Sequence, residues 1–157
     1  MIVVEARPLP DRQMLTAAVK AFARVARRRA DPDDLDARDP AFVSEIAPLV
    51  GALYDHVFRC ETELEAALPE GPALIVGNHN AMTGMPDMFC HMVAFWRTCG
   101  TQRLAHGLMH DIPLASPIAG PWFQAAGAVR ASPDNARRAL DRGATVLAFP
   151  GGDRDAC

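Results

Sequence analysis

The chain has 157 residues, half of them apolar and 22% charged, with a net charge of −3. That length suits one compact domain able to bury a real core, and the acidic balance lacks the basic footprint of phosphate-backbone binders, so no nucleic-acid partner is expected. No apolar run approaches the roughly 18 residues of a membrane-spanning helix: the most hydrophobic region, 104–129, is broken by Asp111, two histidines and three prolines. The first ten residues hold Glu5, Arg7 and two prolines, so no secretory signal is read there. Cys60, Cys90, Cys99 and Cys157 form no C-x-x-C pair, and a reduced, cytoplasmic setting is the expectation.

Residues 12–29 carry helical spacing. Leu15, Val19, Phe22 and Ala26 fall on one face and Lys20, Arg24, Arg27 and Arg28 on the other. Such a helix either docks on the core with its basic side solvated or lies on an anionic membrane surface. The acidic stretch "DPDDLDARD" suits a loop or a helix start, and a second helix is expected over 41–58. Residues 1–68 thus read as a helical lead-in, and 69–157 as an α/β core.

From Pro72 the texture changes. "ALIVG" is a short strand, "PDMFCHMVAFWR" a helix with Pro86 in its first turn, and "RLAHGLM" a strand. "SPIAGPWFQAAG" reads as a short helix and "AVRA" as a strand. "SPDNARRALDRG" is the clearest helix, with Ser132 as N-cap, Pro133 at N1, Asp134 in the first turn and Gly143 beyond the end. "ATVLAFP" closes the series as an apolar strand of the kind buried on both faces. Alternating strands and helices predict an α/β layer with a mostly parallel sheet. Because so few residues follow the last strand, it is expected either at the sheet edge or in a domain shortened at its C-terminus.

Ligands of parallel α/β sheets bind beyond the carboxyl ends of the strands. His79 lies just past one such end and Gly151-Gly152-Asp153-Arg154 just past another. A histidine oriented by a carboxylate can act as a general base toward a hydroxyl. A Gly-Gly turn exposes backbone N–H groups, and Arg154 supplies a fixed positive charge. Taken singly, each feature also fits an ordinary strand end or turn.

The segments "VGNHNAMTGMPD", "RLAHGLM" and "GAVRASPDNARRALDRGATVLAFPGGDRD" together resemble the phospholipid/glycerol acyltransferase superfamily, the lysophosphatidic-acid-acyltransferase-like group, over about residues 70–155. Asn78-His79 matches the start of its N-H-x-x-x-x-D motif, and the run from Phe149 to Arg154 resembles its F-P-E-G-T-R motif. The match departs in two places. Gly84 stands where the first acid is usual, so the acid arrives at Asp87, and Gly151 and Asp153 replace the glutamate and threonine of the second motif. The Pro-Gly-Gly form resembles the branch acylating neutral acceptors such as diacylglycerol.

The resemblance implies acyl transfer from acyl-CoA or an acyl carrier protein to a hydroxyl of a glycerolipid or lysophospholipid at the cytoplasmic membrane surface, with no further cofactor. His79 would be the base and Asp87 its orienting acid. Asn78, Gly151, Gly152, Arg154 and, more loosely, Arg130 would contact substrate.

Two readings compete. Asp87 and His91, with His79, His106 and His110, could ligate a metal, or the chain could be an inactive, shortened relative. Met82, Met85, Met88, Met92, Phe95 and Trp96 either line an acyl channel or fill the core. Trp122 and Phe123 either touch lipid or are buried.

Overall fold

The computed structural model describes residues 2–3, 7–79 and 86–151. In chain order the elements are β1 (Ile2–Val3), α1 (Arg12–Val25), a 3₁₀ turn (Leu35–Ala37), α2 (Pro40–Ala52) running into a π-helical turn (Leu53–Val57), β2 (Glu63–Leu64) and β3 (Ala73–Val76). There follow α3 (Pro86–Cys99), β4 (Ala105–Met109), α4 (Asp111–Leu114), α5 (Gly120–Ala126), β5 (Ala128–Arg130), α6 (Pro133–Asp141) and β6 (Thr145–Ala148). The short antiparallel pairing of β1 with β2 is an addition to the helical lead-in expected from the sequence.

The main sheet has the order β3–β6–β4–β5, and every neighbouring pair is parallel. The α/β class read from the alternation of elements is therefore the fold. β6 sits between β3 and β4, not at an edge. Its apolar character follows from having neighbours on both sides, with Val146 fully buried. The edges are β3 and β5.

Side-chain alternation along the strands divides two cores. On one face Ile75 and Ala105 pack with α2, α3 and α5 around Phe42, Val43, Ile46, Tyr54, Phe95 and Trp96. On the other, Val129, Val146 and Ala144 meet Ala139 of α6 and Leu35 of the 3₁₀ turn. α6 does not reach the β3 edge, so Leu74 and Val76, which pair with Val146 and Ala148, stay more than half exposed.

Local signals explain most element ends. Ser132 accepts from the Asn135 amide to cap α6, as its sequence predicts, and Asp39 does the same for Phe42 at the start of α2. Gly127 ends α5 at φ 107°, and a Cβ there would also lie 2.7 Å from the Ala105 carbonyl oxygen, so only glycine fits.

α1 differs from its expectation. It buries Ala18, Ala21 and Val25 and leaves Leu15 40% and Val19 67% exposed. The helix is turned so that small alanines meet α2, and Phe22 stacks edge-on against Phe42 and Trp122 at 5.4 and 5.1 Å. Trp122 thus belongs to the core cluster, donating from Nε1 to the Phe22 carbonyl. Phe95 and Trp96 are buried there too, with Met92 packed against them.

α3 is the helix that matters most for the site, and it is tied down twice. Arg97, near its end, makes a two-pronged, almost fully buried ion pair with Asp55 of the π turn, at 2.6 and 2.7 Å. Cys90, near its start, is joined to Cys60 by a disulfide. That bond departs from the reduced setting expected of the cysteines. The partners lie 30 residues apart, a separation that carries no motif, and the bond forms only in surroundings oxidising enough to sustain it.

Candidate active site

The site begins where β3 ends. The Gly77 amide donates to the Ala148 carbonyl, extending the β3–β6 pairing by one residue before the chain turns away through Asn78 and His79. On β6, Phe149 follows directly and lays its ring in the space that Gly77 leaves open. A Cβ on Gly77 would stand 2.9 Å from Phe149 Cε1. The glycine therefore has a steric reason: two parallel strands present their ends at the same level and an aromatic ring crosses between them.

α3 brings the acid. Asp87 lies in its first turn, where a carboxylate is stabilised by the unpaired N–H groups of a helix start. From there Asp87 Oδ2 lies 2.7 Å from His79 Nδ1, with the two side chains only 12% and 14% exposed. A carboxylate can only accept, so the proton of the neutral ring sits on Nδ1 and Nε2 carries the lone pair. Late placement of the acid along the sequence is thus no obstacle to contact.

One helical turn further on, His91 directs Nδ1 to the Asp87 carbonyl oxygen at 2.8 Å. The rings of His79 and His91 lie 5.4 and 5.7 Å from that of Phe149, so the phenyl group stands against both imidazoles. From the sequence, Phe149 had value only as part of a motif, and His91 as a possible metal ligand or as a residue facing the core or making a capping hydrogen bond. The signal available was the i, i+4 spacing of Asp87 and His91 on a helix whose first turn carries the acid.

The remaining predicted residues divide. Asn78 is exposed beside His79, and Gly151 lies two residues past Phe149 in the turn after β6. Gly152, Asp153 and Arg154, with Met82 and Met85, lie outside the described residues. Arg130 is at the end of β5, two strands beyond β6 in the sheet and roughly 14 Å from β3 at the usual strand spacing. Its guanidinium is held by Asp33 and Asp111, each at 3.0 Å. Asp33 also accepts from Asn135 Nδ2, and that bond, followed by those from Arg130, holds its carboxyl below the usual range.

Two of the four histidines of the metal reading, His106 and His110, are engaged elsewhere. His106 is on β4, buried, with Nδ1 donating to the Gly127 carbonyl, and burial pushes its pKa down. His110 caps α4, accepting from the Ile112 amide. Among the described residues no group of three or more His, Cys, Asp or Glu is gathered to hold a metal ion. A shallow groove between α1 and α2, lined by Arg12, Thr16, Lys20, Arg24 and Glu45, contains none of the predicted site residues.

A parallel sheet with a histidine beyond the end of β3 paired to a carboxylate in the first turn of α3 defines the class as an α/β protein. Comparison with family models narrows the class: residues 59–156 match the model described as Acyltransferase. The chain belongs to that family, the phospholipid/glycerol acyltransferase superfamily. Neither the curated proteins nor the solved structures yield a match.

Proposed function

We propose that this acyltransferase moves a fatty acyl group from a thioester, acyl-CoA or acyl carrier protein, to a hydroxyl of a glycerolipid or lysophospholipid, with His79 as general base. The observation that carries the reading is the 2.7 Å His79–Asp87 contact at the carboxyl end of β3. Nδ1 is committed to the carboxylate, so Nε2 is the nitrogen available to take a proton.

The acceptor O–H gives its proton to His79 Nε2 as its oxygen forms a bond to the thioester carbonyl carbon. The tetrahedral oxyanion, stabilised by backbone N–H groups around Gly151 and Gly152, then collapses and the C–S bond breaks. The imidazolium, held by Asp87, returns its proton to the leaving thiolate. Ester and thiol are the products, with no covalent enzyme intermediate, no metal and no cofactor beyond the thioester.

Within the acceptor class the reading favours a neutral hydroxyl over a phosphorylated one. Arg130, the residue nearest in pattern to a phosphate-binding arginine, already faces two carboxylates, and a phosphate would have to displace one of them. The outward Leu15 and Val19 of α1, beside Arg12 and Lys20, support work at an anionic lipid surface. No helix among the described residues is long and apolar enough to cross a membrane.

The test is incubation of the purified chain with labelled acyl-CoA and matched neutral and phosphorylated glycerolipid acceptors. Label is expected in the neutral ester at the higher rate. Equal or faster labelling of the phosphorylated acceptor would overturn the acceptor preference, and no labelled ester from any acceptor would overturn acyl transfer.

A further inference from the structure

His91 is a second imidazole at the same strand ends, and its protonation pattern is set by geometry. Its Nδ1 lies 2.8 Å from the Asp87 carbonyl oxygen, an atom that can only accept. Nδ1 therefore carries the hydrogen, and in the neutral ring Nε2 is an acceptor. That Nε2 has no hydrogen-bond partner among the described residues. It stands over Gly77, 3.7 Å from where a Cβ would be, at the edge of the Phe149 ring that His79 also faces. His91 is exposed, although its helix neighbours Val93, Ala94, Phe95 and Trp96 are buried. A polar ring fixed in one tautomer, with its acceptor nitrogen open beside the base, is arranged for a ligand that donates.

We infer that His91 binds substrate, its Nε2 accepting a hydrogen bond from a neutral O–H or N–H donor of the molecule undergoing acyl transfer. This rests on the acyl-transfer reading of His79. Two sources offer that donor: a second hydroxyl next to the reacting one on a polyol acceptor, and an amide N–H in the pantetheine arm of the thioester. His91 takes no part in moving the proton of the reaction. It positions the substrate across the Phe149 ring from His79.

The alternative role is structural, with His91 serving only to hold the start of α3 through the Asp87 carbonyl. Two substitutions separate these roles because each amide side chain reproduces one ring nitrogen. His91→Asn places an N–H near Nδ1 and removes the far acceptor. His91→Gln places an amide oxygen near Nε2 and gives up the Nδ1 bond. Steady-state KM is measured separately for a monoacylglycerol acceptor and for acyl-CoA, with unfolding midpoints alongside.

His91→Asn is expected to raise one of the two KM values about five- to tenfold, the worth of one net hydrogen bond, with kcat within about twofold of wild type. His91→Gln should stay close to wild type in both. The KM that moves identifies the source of the donor. The reverse order, with His91→Gln impaired and His91→Asn normal, or no change of either KM in either variant, would overturn the inference. Should His91→Asn fail to fold, His91→Phe, which keeps a ring beside Phe149 and lacks both nitrogens, carries the same KM expectation. A His79→Ala control separates the two claims. Its full activity would overturn the base assignment, while the His91 KM comparison would still be decided by its own outcome.

Discussion

Replacing Asp87 with Asn keeps the shape of the orienting group and removes its charge. At 2.7 Å from Nδ1 and largely shielded from water, the carboxylate acts on the imidazolium that forms as His79 takes the proton. Charges about 4 Å apart at an effective dielectric near 20 interact by about 4 kcal/mol. Discounting for the neutral hydrogen bond that the amide can retain, about 3–4 kcal/mol is lost in the transition state. The expected result is a fall in kcat of roughly 100- to 1,000-fold, with KM changed little, because the ground-state ring is neutral.

Stability is predicted to move far less. The favourable placement of a carboxylate in the first turn of α3 is worth about 0.3–1 kcal/mol, so the unfolding midpoint drops by a few degrees at most. The assay is thiol release from acyl-CoA at saturating acceptor, with thermal unfolding followed on the same preparation. Activity within threefold of wild type in a normally folded Asp87→Asn protein would refute the orienting role.

Three further perturbations follow from the same packing and charge. Gly77→Ala forces the Phe149 ring aside by placing a methyl 2.9 Å from Cε1; acyl transfer should fall by up to about 100-fold as the histidines lose their shared neighbour, and unchanged kinetics would show the ring to be dispensable. Opening the Cys60–Cys90 bond by reduction or by Cys60→Ser frees a 30-residue span, worth about 3.5 kcal/mol of chain entropy. The unfolding midpoint should then fall by roughly 10 °C, and identical oxidised and reduced midpoints would contradict the pairing.

Asp55 supplies a pH test. Burial pushes its carboxyl up, but the donors Arg97 and the Arg7 amide more than offset this and leave it below its usual value of 3.8. A carboxyl depressed in the folded state contributes stability that is fully present above 3.8 and is lost as pH falls below it toward the folded value. Asp55→Asn should therefore cost about 3–5 kcal/mol at neutral pH by removing the carboxylate from a buried ion pair, and should show a shallower loss of stability in acid. Equal acid slopes for the two proteins in urea titrations would count against the buried pair.

The strands and α6 were legible because their signals are local: alternation, caps and apolar runs lie within a few residues of one another. The order β3–β6–β4–β5 was not legible. It depends on which strand ends share a core, and because little sequence follows β6 its place was left between an edge and a shortened domain. The face of α1 was misjudged because size was taken as the sign of burial. Leu15 and Val19 are larger than Ala18 and Ala21, yet the alanines allow the close approach to α2 that Phe42 and Val43 fill from the other side.

At the site, the sequence indicated His79 and a late acid but could not say whether they meet. Contact depends on how far β3 and the start of α3 converge, which is set by the packing of α3 on the sheet. The role of Phe149 was hidden for a related reason. Its neighbours His79 and His91 come from two other elements, and only parallel pairing of β3 with β6 puts all three rings together. The Cys60–Cys90 bond likewise joins residues whose proximity is created by the π turn lying against α3.

The central claim is that the His79 imidazole takes the proton from the acceptor hydroxyl. Its most direct test is the initial rate of labelled ester formation by wild type and His79→Ala at saturating acyl-CoA and neutral glycerolipid acceptor. A fall of at least about 100-fold, with an unchanged unfolding transition, is the predicted result. Ester formation by His79→Ala at the wild-type rate would contradict it.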